Sequence, residues 1–422
     1  MNPIGSAIRN AKRLMVRVWD QPAALRLTTG IDALIVISVV RAGRIGGKGP
    51  TAHVLLNSPS GGNIGDQAMY ESFVRGLPAP VIAVMPTLGS FPVPGGIGPD
   101  DLQVVTLPSL VLKYRFRRFL ETYKFARVLL EARSFSIVGA DVMDGSYNGR
   151  AAVLTWGLAI ASQRAGIPTQ VLGFSWSDHA ASQAIAYADA ARTLGVRLIS
   201  RDPNSASRLM EAGIKAVEGA DIAFSLDQVD SDTTYFEQVS VEKRDGRAIA
   251  LVNMSALIGS QLDQRLEYLA IVNKLNSLGL TVVMVPHVSN PSSDDIGEIE
   301  SARSILSGAR CIYIDELLTP GQIQALASQA EVIISGRMHL AVLGLGQGVP
   351  SIVLATHGKV SGLADLFKSP YLAVEPEAGF GTTVCALVEQ IVASNEIRAK
   401  IASNLQDVRL LSSRNFDLPR RS

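Results

Sequence analysis

The chain has 422 residues, 47% hydrophobic and 18% charged, with 39 basic against 38 acidic side chains and a net charge of +1. This composition excludes disorder, collagen and coiled coil as the main form, and the balanced charge excludes a chain-wide electrostatic case for nucleic acid. Two cysteines, Cys311 and Cys385, are too few for a disulfide framework or a cysteine zinc site, so a reducing cytoplasm is the expected compartment.

Residues 1–50 hold eight Lys or Arg against Asp20 and Asp32 and read as a basic N-terminal extension. Its apolar run at 33–40 starts too late for a secretory signal and, at eight residues, falls short of the roughly 20 that span a bilayer. From residue 51 the rhythm becomes strand, loop, helix. Strands are expected at 53–57, 81–85, 136–139, 168–173 and 196–200, with helices at 66–77, 110–133, 149–165, 179–194 and 203–212. The long helix at 110–133 carries basic residues from Lys113 to Arg133 interleaved with Leu120, Tyr123 and Leu130. Such a face suits solvent packing or an anionic membrane surface.

Residues 226–246 are polar and read as a linker, after which the rhythm restarts with strands at 248–253, 281–285, 310–314, 332–335 and 351–354. The expected fold class is α/β: two doubly wound Rossmann-like domains, 51–230 and 245–410, facing a cleft. In such folds ligands bind at the carboxyl ends of the strands, so the strand-to-helix loops are where chemistry is sought.

Five loops stand out. Residues 58–66 (SPSGGNIGD) open a helix with three glycines, suited to a tight turn or to an anion or sugar hydroxyl, and Asp66 suits a helix cap. Residues 139–146 contain Asp144, able to order its own loop or to hold a substrate hydroxyl. Trp176 follows the next strand, as a stacking surface for a sugar or as a packed core residue. Arg201 ends a strand as a permanently charged fork, before an Asp202-Pro203 helix start. The strongest cluster is Ser335-Gly336-Arg337-Met338-His339, which puts Arg337 and His339 at a helix N-terminus. There the macrodipole favours anions, Arg337 can grip a carboxylate or phosphate, and His339 is poised for proton transfer. His287 ends another strand of the same expected sheet, and Lys359 follows the strand at 351–354.

Taken in order, NSPSGGNIGDQAMYESF (57–73), GADVMD (139–144), SRDPNSASRLMEAGI (200–214), GADIAF (219–224), VPHVSNPSSDD (285–295) and SGRMHLAVLGLGQGVPSIVLATHGKVSGL (335–363) resemble the polysaccharide pyruvyl transferase family. The resemblance implies transfer of pyruvate from phosphoenolpyruvate to a sugar of a surface or extracellular polysaccharide, as a ketal. It also implies a fold like that of B-type glycosyltransferases with the active site between domains. By matching motif, His339 is the expected acid/base, and Arg201, Arg337 and Lys359 the donor contacts. Asn63 and Asp66 fall on the acceptor side, with Asp144, Trp176 and His287 as further cleft candidates. No metal or cofactor is expected; the expected partners are phosphoenolpyruvate and a glycan or lipid-linked acceptor. A peripheral contact with anionic membrane at the inner face of the cytoplasmic membrane is expected from the basic N-terminus. The alternatives are a sugar-nucleotide glycosyltransferase, for which Glu375 or Glu377 would hold the ribose, and a non-catalytic member of a polysaccharide assembly complex.

Overall fold

The computed structural model describes residues 21–45, 49–57, 61–78, 80–87, 89–111, 117–355 and 360–418. The first sheet contains β1 (Ala52–Leu56), β2 (Val81–Met85), β3 (Leu102–Thr106), β4 (Ala132–Ala140), β5 (Thr169–Phe174), β6 (Arg197–Ser200) and β7 (Val217–Glu218), in the order 3-2-1-4-5-6-7. The second contains β8 (Ala248–Asn253), β9 (Leu280–Met284), β10 (Cys311–Tyr313), β11 (Val332–Ser335), β12 (Ser351–Leu354) and β13 (Ala373–Val374), in the order 10-9-8-11-12-13. Every pairing within these two sheets is parallel. Parallel strands are covered on both faces, which is why every residue of β1, β2, β5, β9, β11 and β12 is buried and most are apolar. Strand order reverses between β1 and β4 and between β8 and β11. Those two crevices are where an open α/β sheet binds its ligand.

The chain departs from the sequence expectations in five places. Residues 110–133 are not one helix: α3 covers Arg117–Val128, and pairing with β1 draws the chain into β4 from Ala132 onward. The edge strand β3 carries no apolar alternation strong enough to announce it. The expected linker at 226–246 contains the helix Thr234–Arg244, which packs on β8, so the second domain begins before residue 245. The last helix, Asn395–Ser413, ends at the first domain, beyond the expected limit at 410. There the Asn415 amide donates to the Ala220 carbonyl (3.0 Å) and its oxygen accepts from the Gly173 backbone (2.9 Å).

The fifth departure is the N-terminal extension, whose first 20 residues lie outside the described residues. Residues Pro22–Gly43 form α1, which packs across α3 and α4 (Gly149–Arg164). With the sheet on one side and α1 on the other, α4 is buried without interruption from Ala151 to Ser162. By length and composition α1 could cross a membrane. Asp32 interrupts its inner face, but it is fully buried and paired with Arg118 at 2.5 Å, with the Thr122 hydroxyl donating to the same oxygen at 3.1 Å. Breaking a buried pair strands the other charge, so Asp32→Ala is expected to lower the free energy of unfolding by about 3–5 kcal/mol in urea denaturation. An unchanged midpoint would mean that α1 does not depend on this pair.

Candidate active site

The two sheets face each other with the carboxyl ends of their strands toward a common cleft of about 380 Å³. At one wall the domains are joined by two backbone hydrogen bonds. The Ile64 amide donates to the His287 carbonyl (3.1 Å) and the Ser289 amide to the Gly62 carbonyl (2.9 Å). Gly62 has a φ of +71°, and a Cβ there would collide with the Ser289 carbonyl, so glycine is required twice over.

From the first domain, α2 (Ile64–Gly76) presents its N-terminus to the cleft. Its cap is Asn63, whose side chain accepts from the Gly65 amide at 2.9 Å, while Asp66 lines the cleft from the first turn rather than serving as the cap. From the second domain, the turn after β11 places Arg337 at the N-cap and His339 in the first turn of the helix Met338–Leu345. These two helix starts meet: a Cβ on Gly65 would run into the His339 ring.

His339 is held by a residue that sequence reasoning gave no role. Its Nε2 lies 3.1 Å from Oδ2 of Asp221, and the same oxygen accepts from Nη1 of Arg201 at 3.4 Å. Asp221 therefore joins an arginine of one domain to the histidine of the other. Burial works against its charge, but His339 and Arg201 together hold it below the usual carboxylate range. An ionised carboxylate only accepts, so Nε2 of His339 donates to Asp221, which leaves Nδ1, on the Gly65 side, as the nitrogen able to exchange a proton. The only sequence signal for Asp221 was its place within GADIAF (219–224).

Both expected donor-site arginines line the cleft, and neither is a bare cation. Arg201 is 2% exposed; it donates to Ser175 at 2.7 Å and pairs with Asp141 as well as Asp221. Arg337 donates to Asp295 (2.7 Å) and to Ser293 (2.6 Å) through Nε and Nη2, and Nη1 makes no hydrogen bond among the described residues. Asp295 is itself fixed by the Asn253 side chain and by the amides of Ala256, His287 and Val288. His287 also lines the cleft. It is buried, neither ring nitrogen has a partner among the described residues, and burial, with His339 and Arg337 beside it, pushes its pKa well below the ordinary value. At neutral pH it is an uncharged ring with unspent hydrogen-bonding capacity.

Two expected cleft residues are elsewhere. Asp144 is fully buried and orders its own loop, accepting from the Ser146 amide (3.0 Å) and the Ser177 amide (3.1 Å). Trp176 is 1% exposed, packs edge-on against Phe174, and donates its amide to Ser205. Each followed the structural alternative, because a buried loop must satisfy its amides and a large ring gains most in the core. Lys359 lies outside the described residues. Among the described residues no group of three His, Cys, Asp or Glu side chains could hold a metal ion.

The family model for polysaccharide pyruvyl transferase matches residues 63–358, more than half of the chain and nearly all of the cleft. The chain belongs to that family. It is thus a transferase of polysaccharide biosynthesis. A comparison of the sequence with the curated proteins finds no match. Among solved structures, a UDP-GlcNAc 2-epimerase from Neisseria meningitidis bound to UDP-GlcNAc superposes with a TM-score of 0.56 at 12% identity, covering 87% of this chain and 98% of that one. A glycosyltransferase from Rickettsia africae gives 0.54 at 11% identity, covering 87% and 99%. A UDP-GlcNAc 2-epimerase from Methanocaldococcus jannaschii gives 0.53 at 11%, covering 86% and 99%. At this identity the likeness is one of fold: two Rossmann-like domains around a cleft, as in B-type glycosyltransferases.

The depressed pKa of Asp221 has a consequence for acid stability. In the unfolded chain a carboxylate titrates near 4. A lower folded value means that Asp221 contributes its full stabilisation above that pH and loses it as the pH falls through the folded value. Chemical denaturation from neutral pH down to pH ~3 is expected to show a shallower decline for Asp221→Asn than for the wild type. Equal slopes would mean that Asp221 titrates normally.

Proposed function

We propose that this transferase moves the pyruvyl group of phosphoenolpyruvate onto a sugar of a surface or extracellular polysaccharide, or of its lipid-linked precursor, as a ketal. The observation that carries this reading is the chain Arg201–Asp221–His339 across the cleft, with Arg337 beside it. Phosphoenolpyruvate carries a carboxylate and a phosphate. The Nη1 edge of Arg337 and the N-terminus of the helix Met338–Leu345 supply donors suited to such an anion.

With its ring protonated and Nε2 held by Asp221, His339 would act as the general acid through Nδ1, giving that proton to the methylene carbon of the donor, after which C2 becomes an oxocarbenium-like centre. A sugar hydroxyl attacks C2 and passes its proton to the now neutral His339 ring, and phosphate leaves with the electron pair of the C2–O bond. A second hydroxyl of the same sugar then closes the ketal and gives its proton to the departing phosphate. One acid/base and fixed dipoles around the anion suffice for this sequence. Asn63 and Asp66 border the same space from the first domain and His287 from the second, and they offer the hydrogen bonds that an acceptor hydroxyl needs. The glycosyltransferase reading is the weaker one: Glu375 and Glu377 are exposed beyond β13 and do not line the cleft.

The test incubates the enzyme with phosphoenolpyruvate and a panel of bacterial glycans, following phosphate release together with the mass of the glycan. Release that depends on the glycan and accompanies a pyruvyl mass gain is expected; consumption of a sugar nucleotide instead would overturn the reading. In the same assay Gly65→Ala is expected to lower turnover roughly 100-fold, because its methyl displaces the His339 ring by a fraction of its width. Turnover at the wild-type level would mean that the contact between the two helix starts does not position the histidine.

A further inference from the structure

The outer surface of α1 and α3 has no counterpart in the catalytic account. The two helices run side by side and in step: Asp32 meets Arg118 and Thr122, and Gly43 abuts Leu130. An offset of this size sets Leu34 level with Leu120 and Arg41 level with Arg127. The sides turned away from the protein carry Leu27 (66% exposed), Leu34 (69%), Leu120 (52%) and Tyr123 (47%). Ile31, half-buried, continues the stripe on α1 at helical spacing. Arg26, Arg41, Arg117, Lys124 and Arg127 are exposed around it, whereas Asp32 and Glu121, the acids within α1 and α3, are turned inward and buried.

A contiguous apolar stripe is costly in water, and cations without exposed acids among them repel one another. Both are relieved by one surface, an interface of acyl chains under anionic headgroups. We propose that this face of α1 and α3 docks on an anionic lipid bilayer, with α1 lying in the interface. Spanning is opposed by the packing of α1: Leu25, Thr28, Asp32, Val36 and Val40 are buried against the protein, and lifting the helix out would strand the Arg118–Asp32 pair. The docking face lies on the first domain, which also supplies Asn63 and Asp66 to the cleft. The inference does not depend on which donor the enzyme uses.

The experiment sediments the full-length protein with phosphatidylcholine vesicles, with and without phosphatidylglycerol, at low and high salt. The wild type is expected to pellet with the anionic vesicles at low salt and to be released by high salt. Replacing Arg117, Lys124 and Arg127 by Gln is expected to weaken binding by roughly 100-fold, about fivefold for each cation. Leu27→Glu with Leu34→Glu is expected to weaken it by at least roughly tenfold. Melting curves and circular dichroism verify that both variants fold. Equal pelleting of wild type and folded variants overturns the proposal. So does a wild-type dimer in velocity sedimentation that the leucine replacements dissolve, since a second copy would then cover the stripe. Retention of the wild type on the vesicles through high salt and alkaline carbonate would also overturn it, in favour of a spanning helix.

Discussion

His339→Ala lowers turnover by roughly 100-fold or more while leaving the fold intact, the scale expected for a positioned acid/base. His339 is 9% exposed at a helix start, so loss of its ring opens a small polar gap at the cleft rather than a hole in either core. What the variant removes is the group that Asp221 holds in one tautomer. Asp221→Asn should reproduce part of this loss and should alter the pH profile of turnover, because an amide can donate to Nε2 and favour the opposite tautomer. Normal turnover in a folded His339→Ala protein would remove the histidine from the chemistry.

Arg337→Met weakens phosphoenolpyruvate binding by about 2–5 kcal/mol in calorimetry, the range found when one partner of a desolvated charge pair is removed. Arg201→Met is expected to do the same with an added cost in stability of about 3–5 kcal/mol, since it strands Asp221, which is 2% exposed. Each variant removes the partner of a buried carboxylate, Asp221 or Asp295, so the fold of both is checked by melting curves. Arg337 is anchored by Asp295 from behind and gives up its outer edge to a ligand, whereas Arg201 also braces the carboxylate that orients His339. Unchanged donor affinity in both would refute the assignment of these arginines to the donor.

The pairing of Arg337 with His339 was legible in the sequence because three local features coincide there: an apolar strand, a glycine turn and a helix start. The parallel strands were legible for a similar reason, since burial on both faces leaves continuous runs of Val, Ile and Leu. Asp221 was not, because its partners lie 20 and 118 residues away and a single aspartate carries no pattern of its own. Asp295 hid in the same way, with Arg337 42 residues distant. Gly65 was readable as a flexible position, but its reason, the histidine ring of the other domain, belongs to tertiary structure. In α1 one buried aspartate cut the apolar run and concealed a helix of 22 residues, because the arginine that neutralises it stands 86 positions later. Trp176 and Asp144 were each compatible with a core and with a cleft, and only packing could decide between them.

The measurement that bears most directly on the central claim follows the donor carbon itself. The enzyme is supplied with phosphoenolpyruvate labelled at C2 and a glycan acceptor, and the purified glycan is examined by carbon NMR. The account predicts a labelled quaternary carbon joined through oxygen to two positions of one sugar, formed with one phosphate released per ketal and lost in His339→Ala. A glycan that carries no label, while the same preparation consumes a sugar nucleotide and extends the chain, would contradict it.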